Sequence, residues 1–81
     1  MRVSVNFYSY FKDLTGCERT TETLETGATL EHLFQVLSER YPRLAAMRRS
    51  TLVAVGVEYR DMKTVLQAGD EVSLFPPVQG G

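Results

Sequence analysis

The sequence ends in LFPPVQGG, residues 74–81, and this stretch is the clearest candidate for chemistry in the chain. Pro76 and Pro77 hold φ at about −65° and keep the backbone extended, so the tail should project from the folded body. Six residues can reach about 20 Å at ~3.3 Å each. Because glycine has no Cβ, Gly80 and Gly81 could enter a channel too narrow for other residue pairs. We therefore predict an unhindered terminal carboxylate that a partner enzyme could activate.

The elements that carry this tail are predicted from hydrophobic periodicity. Val3, Val5 and Phe7 alternate with polar residues, which predicts a first strand with one buried face. A turn or short helical piece follows and ends at Gly16. The threonine-rich segment 17–26 then predicts a second, edge-like strand that pairs with the first as a hairpin.

One main helix is predicted after Thr29, which is a suitable N-cap residue. Apolar residues spaced i, i+3, i+4, i+7 and i+11 form a single stripe on this helix. Pro42 should end it, because the residue before a proline is disfavoured in the helical region. A connector with room for another helical turn follows. The residues of the stripe are Leu30, Leu33, Phe34, Leu37 and Tyr41.

The second half of the chain predicts the remaining strands. One is centred on residues 52–57, where Gly56 indicates a turn or bulge. A short return strand is expected around Met62 and Lys63. The last strand is expected at residues 71–75, after a Gly-Asp turn.

The predicted order of elements defines a fold class. Strand, strand, helix, strand, short strand and strand make an α+β fold in which one helix covers a mixed sheet of four to five strands. The first and last strands are the most apolar, so we expect them side by side in the middle. This arrangement is the β-grasp, the fold of ubiquitin. With 81 residues we expect one domain at 1–75 and a flexible extended tail at 76–81.

Composition limits the classes of function. The net charge of −1 offers no electrostatic basis for binding nucleic acid or an anionic membrane. Five arginines between positions 40 and 60 are interrupted by acidic and apolar residues and are interpreted as solvated surface, with a local patch for a partner as the alternative. No apolar run is long enough to span a membrane. The single cysteine, Cys17, rules out an internal disulfide and favours a cytoplasmic location. His32 lies off the apolar stripe, and no metal site or self-contained active site is predicted.

The segment LVAVGVEY…LQAGDEVSLFPPVQGG resembles the small subunits of molybdopterin synthase, the MoaD-like sulfur carriers of the ThiS/MoaD ubiquitin-like family. The family signature runs from Gly-Asp-Glu-Val to Pro-Pro-Val-x-Gly-Gly, which here occupies residues 69–72 and 76–81. The opening VNFYSYFKDLTG is also similar, so the resemblance covers essentially the whole chain. Gly56 stands where the family commonly has Asn, and both residues tolerate a left-handed backbone.

The resemblance implies a carrier with no cofactor of its own and no catalysis by this chain alone. An ATP-using, MoeB-like activating enzyme would adenylate the carboxylate of Gly81, and a sulfur donor would convert the acyl-adenylate to a thiocarboxylate. The tail would then enter a MoaE-like large subunit in a heterotetramer, and its sulfur would pass to a pterin precursor of the molybdenum cofactor. The residues implied to enter with Gly81 are Pro76, Pro77, Val78, Gln79 and Gly80.

Strand parity predicts a docking surface beside the tail. Since the apolar residues of the first strand face the helix, Tyr8 should face outward, and since Leu74 faces inward, Phe75 should also face outward. Neighbouring strands would place Tyr8 and Phe75 together, with Tyr59 extending the cluster. Clustered exposed aromatic residues are typical of interfaces. The resemblance adds Lys12 as a further partner contact, because the family often has a basic residue there.

Three other functions stay open on the sequence alone. The chain could carry sulfur for another pathway, such as thiazole or cysteine synthesis. It could be a ubiquitin-like modifier that attaches Gly81 to lysine residues of other proteins, since adenylation serves both fates. It could also be a plain interaction module with an inert tail.

Overall fold

The computed structural model of the chain describes residues 1–77, and the predicted tail residues Val78, Gln79, Gly80 and Gly81 lie outside the described part. Residues 76 and 77 are the described part of the predicted tail and follow the last strand without regular secondary structure. The elements are β1 (Arg2–Phe7), α1 (Phe11–Thr15), β2 (Arg19–Thr23), α2 (Leu30–Arg40), a 3-10 segment (Pro42–Ser50), β3 (Leu52–Val55), β4 (Glu58–Tyr59) and β5 (Glu71–Phe75).

The strands form one mixed sheet in the order β2-β1-β5-β3-β4. β1 and β5 are parallel, with Val5 opposite Val72, and the other neighbours are antiparallel. The expectation that the first and last strands lie side by side in the middle of the sheet is confirmed. The tail therefore follows the central strand, which has a neighbour on each side.

The core lies between one face of this sheet and α2, as the alternation of β1 and the stripe of α2 predict. Tyr41 caps the end of α2 instead of continuing it, and its ring meets Phe7 edge-on at 5.8 Å between centroids. At the other end of α2, the Thr29 hydroxyl accepts a hydrogen bond from the His32 N–H at 3.3 Å, so the predicted N-cap is confirmed. The buried apolar residues from β1, α2 and β5 are Val3, Val5, Phe7, Leu30, Leu33, Phe34, Leu37, Val72 and Leu74.

An ion pair ties the end of α2 to the edge strand β2. The Arg40 guanidinium donates a hydrogen bond to the Glu22 carboxylate at 2.7 Å, and this bond raises the pKa of Arg40 above its ordinary value. Because Glu22 belongs to β2, this bond links the last residue of α2 to the sheet.

The short strand predicted around Met62 and Lys63 is wrong. Gly56 has φ of 63°, a left-handed conformation that lets the chain reverse within two residues, so β4 begins already at Glu58. The Arg60 N–H still donates a hydrogen bond to the Val53 carbonyl of β3, whereas residues 61–63 belong to no strand. The Met62 carbonyl instead accepts a hydrogen bond from the Glu31 N–H at 2.9 Å, which satisfies a donor in the first turn of α2.

Candidate functional site

The site begins where β5 ends. Leu52 of β3 lies opposite Phe75, and on the other side the Tyr8 N–H donates a hydrogen bond to the Leu74 carbonyl at 3.2 Å. Pro76 and Pro77 follow directly and are half-buried. Because β5 is paired on both sides almost to its last residue, the root of the tail has a defined position on the domain.

Three aromatic side chains form a cluster at this root. Phe75 stacks on Tyr8 with 4.7 Å between ring centroids and an interplanar angle of 11°, and it meets Tyr59 at 6.1 Å and 69°. Tyr8 is 43% exposed and Tyr59 is 70% exposed, so the cluster faces outward. We call Tyr8, Tyr59 and Phe75 the aromatic patch. The prediction that they lie together beside the root of the tail is confirmed.

The sheet surface beneath the aromatic patch consists of small residues. Ala54 and Ser73 are opposite each other in the β3–β5 register, on the sheet face away from α2, yet each is only 7% exposed. Ala54 is also opposite Tyr59. Small side chains at these two positions let larger neighbours lie over the sheet. Sequence reasoning missed Ser73 and Ala54, although the strand alternation does place both on the outer face.

A polar network borders the patch on the same face of the sheet. The Asn6 amide donates to Glu71 at 2.7 Å, and the Arg19 Nε donates to the Asn6 side-chain oxygen at 2.9 Å. Arg19 also lies 3.4 Å from Glu71. Sequence reasoning missed this network, because its members belong to three strands and meet only through the pairing of β1 with β2 and β5.

Lys12 lies close to the patch but outside it. It belongs to α1, pairs with Glu18 at 3.8 Å, and lines a groove of about 320 Å³ together with Tyr8 and Arg19. Ser9 has φ of 56°, and this left-handed residue turns the chain from β1 into α1. The structure thus brings Lys12 to the same end of the domain as the tail root.

The other candidate residues of the sequence lie apart from this site. Cys17 is half-buried, with its sulfur 3.7 Å from the Tyr41 hydroxyl. His32 is exposed in the first turn of α2. Across the described residues 1–77, no cluster of His, Cys, Asp and Glu could hold a metal ion. In the same range, no helix is both long and apolar enough to cross a bilayer.

A mixed sheet packed on one helix defines a ubiquitin-like β-grasp protein, and in this chain an aromatic patch lies at the root of a Pro-Pro segment. The chain belongs to the ThiS family, whose model matches residues 5–81. It is 31% identical to the molybdopterin synthase sulfur carrier subunit of Homo sapiens, over 99% of this chain and 94% of the human one.

Solved structures agree with this fold. SAMP1 from Haloferax volcanii superimposes with a TM-score of 0.90 at 21% identity, and all of both chains is covered. A chain in the complex of subunits 1 and 2 of the molybdopterin-converting factor from Helicobacter pylori superimposes with a TM-score of 0.71 at 26% identity, again over all of both chains.

Proposed function

We propose that this chain is the sulfur carrier subunit of a molybdopterin synthase. The observation that carries the proposal is the family match, which runs through the Pro-Pro-Val-Gln-Gly-Gly segment to Gly81. The human relative, similar over nearly its whole length, is a sulfur carrier subunit of this synthase. The aromatic patch supports the same function, because the partners of a carrier must bind it close to its reactive tail.

The proposed chemistry of the tail requires activation, because sulfur cannot replace a carboxylate oxygen directly. Oxide does not leave, so the Gly81 carboxylate first attacks the α-phosphorus of ATP on an activating enzyme and releases pyrophosphate. Sulfide-level sulfur from a donor then attacks the acyl carbon, AMP leaves, and a terminal thiocarboxylate results. This sulfur is transferred to a pterin precursor, and the oxygen of a water molecule takes its place on the acyl carbon, which restores the Gly81 carboxylate. The chain itself supplies the carrier atom and the docking surface, whereas the partners supply the catalytic groups.

Besides the sulfur donor, two proteins act on the chain in this scheme. The first is a large synthase subunit, a proposal supported by the Helicobacter pylori complex, in which subunit 1 is bound to subunit 2. Residues 76–81 would enter that subunit, with Tyr8, Tyr59 and Phe75 seated against its surface and Lys12 at the margin. Two copies of each subunit would make a heterotetramer. The second partner is a MoeB-like adenylating enzyme that uses the same tail.

One experiment tests the carrier role directly. The protein is incubated with the adenylating enzyme, ATP and a sulfur donor, and its intact mass is measured. We expect a mass increase that equals the exchange of one oxygen for one sulfur. The matched control lacks Gly80 and Gly81 but keeps every residue of the described part of the chain, 1–77, and it should gain no mass.

Other outcomes of this experiment would contradict the proposal. Adducts to lysine residues of other proteins would indicate a ubiquitin-like modifier. An unchanged mass would indicate an interaction module with an inert tail. A thiocarboxylate that transfers no sulfur to the pterin precursor with the large subunit would indicate a carrier for thiazole or cysteine synthesis.

A further inference from the structure

A second surface, rich in arginine, lies at the β4 edge of the sheet, on the side opposite the aromatic patch. It is an open basin of about 540 Å³ between the end of the 3-10 segment and the β3–β4 hairpin. Arg60 follows β4, and its N–H donates to the Val53 carbonyl at 2.9 Å, which brings Arg60 to the same basin as Arg48 and Arg49. We call this surface, with its lining residues Arg48, Arg49, Thr51, Arg60 and Asp61, the arginine basin.

The charges of the basin are partly compensated. Arg48 forms an ion pair with Glu31, and Arg60 approaches Glu58 at 4.0 Å. No salt bridge within residues 1–77 involves Arg49. The side chains that line the basin therefore carry three guanidinium groups and one carboxylate, and the positive charge left without an ion-pair partner among residues 1–77 is that of Arg49. An anionic ligand would be attracted here.

The basin opens beside the root of the tail. Thr51 lines it and directly precedes Leu52, which lies opposite Phe75. Tyr59 and Arg60 are consecutive, so their side chains point to opposite sides of the sheet edge. Tyr59 therefore joins the aromatic patch on one side while Arg60 joins the basin on the other. A partner that binds the patch and receives the tail could therefore contact the basin in the same complex by extending around this edge of the sheet.

We propose that the arginine basin binds an acidic segment of the large synthase subunit, and that this contact continues the interface formed by the aromatic patch. A peptide segment suits the basin better than a free phosphate because Asp61 also lines it. A compact dianion would be repelled by that carboxylate, whereas a peptide can set its carboxylates on the arginines and offer an N–H group to Asp61. The inference rests on the proposed function, which names the large subunit as a partner.

The test is a measurement of Kd for the large subunit by calorimetry, at low and high salt. In the double variant Arg49→Glu and Arg60→Glu, Kd at low salt should rise about tenfold or more, because like charges now face the acidic segment. The salt dependence of Kd should also become flatter than for the wild type. The matched control is Arg43→Glu, an exposed arginine of the same 3-10 segment outside the basin, for which we expect a change of less than about twofold.

The outcomes separate this inference from the proposed function. If the wild type binds the large subunit and the double variant binds it with the same Kd, the inference of an acidic segment is rejected and the proposed function is not affected. Inorganic phosphate that binds the wild type, competes with the large subunit and fails to bind the double variant would instead assign a phosphate site. A wild-type chain that never binds the large subunit rejects both proposals.

Discussion

Phe75 is the centre of the aromatic patch, and its replacement by alanine is the most direct test of the docking surface. The side chain stacks on Tyr8 and meets Tyr59 edge-on, whereas the adjacent Leu74 and not Phe75 belongs to the buried core. Each aromatic pair contributes about 0.5–1.5 kcal/mol. Because the patch is partly exposed, we expect the free energy of unfolding to fall by only about 1–2 kcal/mol. In a domain of this size, each kcal/mol lowers Tm by roughly 4–8 °C. The domain should therefore remain folded.

The effect of Phe75→Ala on binding should be larger than its effect on stability. A clustered aromatic residue at the centre of an interface typically contributes ~2 kcal/mol or more, which corresponds to a roughly 30-fold increase in Kd for the large subunit. Calorimetric titration measures this Kd, and circular dichroism confirms the fold of the variant. Sulfur loading by the activating enzyme reports separately on the tail.

The control for this prediction is Tyr10→Ala. Tyr10 is 40% exposed, close to the 43% of Tyr8, but it contacts Phe11 and does not belong to the patch. Its loss should change Kd less than about threefold. If Phe75→Ala is folded and binds the large subunit within threefold of the wild type, the aromatic patch is not the docking surface and the reasoning from strand parity to interface fails.

Three further predictions concern the fold and are checked by thermal and urea unfolding. Thr29→Ala removes the hydroxyl that caps α2 and should cost about 1 kcal/mol, whereas Thr29→Ser should cost much less. Gly56→Val forces a β-branched residue into a left-handed conformation and should cost about 1–2 kcal/mol, and a smaller loss for Gly56→Asn is the comparison that isolates backbone strain. Leu37→Ala empties a fully buried site and should cost about 2–5 kcal/mol, but Val57→Ala, at a position 99% exposed, should cost less than ~0.5 kcal/mol; equal losses would contradict the assigned core.

Local patterns were sufficient to predict most elements of the fold. The alternation of Val3, Val5 and Phe7 and the stripe of α2 correctly identified the buried faces, because side-chain direction has a period that depends only on local backbone geometry. Pro42 correctly predicted the end of α2. The short strand was predicted too late in the chain, because Gly56 in a left-handed conformation reverses the chain within two residues. The hydrophobic pattern of the residues that follow does not show where this reversal occurs.

The sequence by itself determined the fold class, the family and the segment that carries the proposed chemistry, because these are encoded in contiguous residues such as Pro76 and Pro77. Parity also placed Tyr8 and Phe75 on one face once their strands were taken as neighbours. Only the tertiary structure decided what depends on register between distant segments. The network of Asn6, Arg19 and Glu71 and the gathering of arginines from two segments into one basin are of this kind. Charge clusters of this sort arise from strand pairing, which no local pattern specifies.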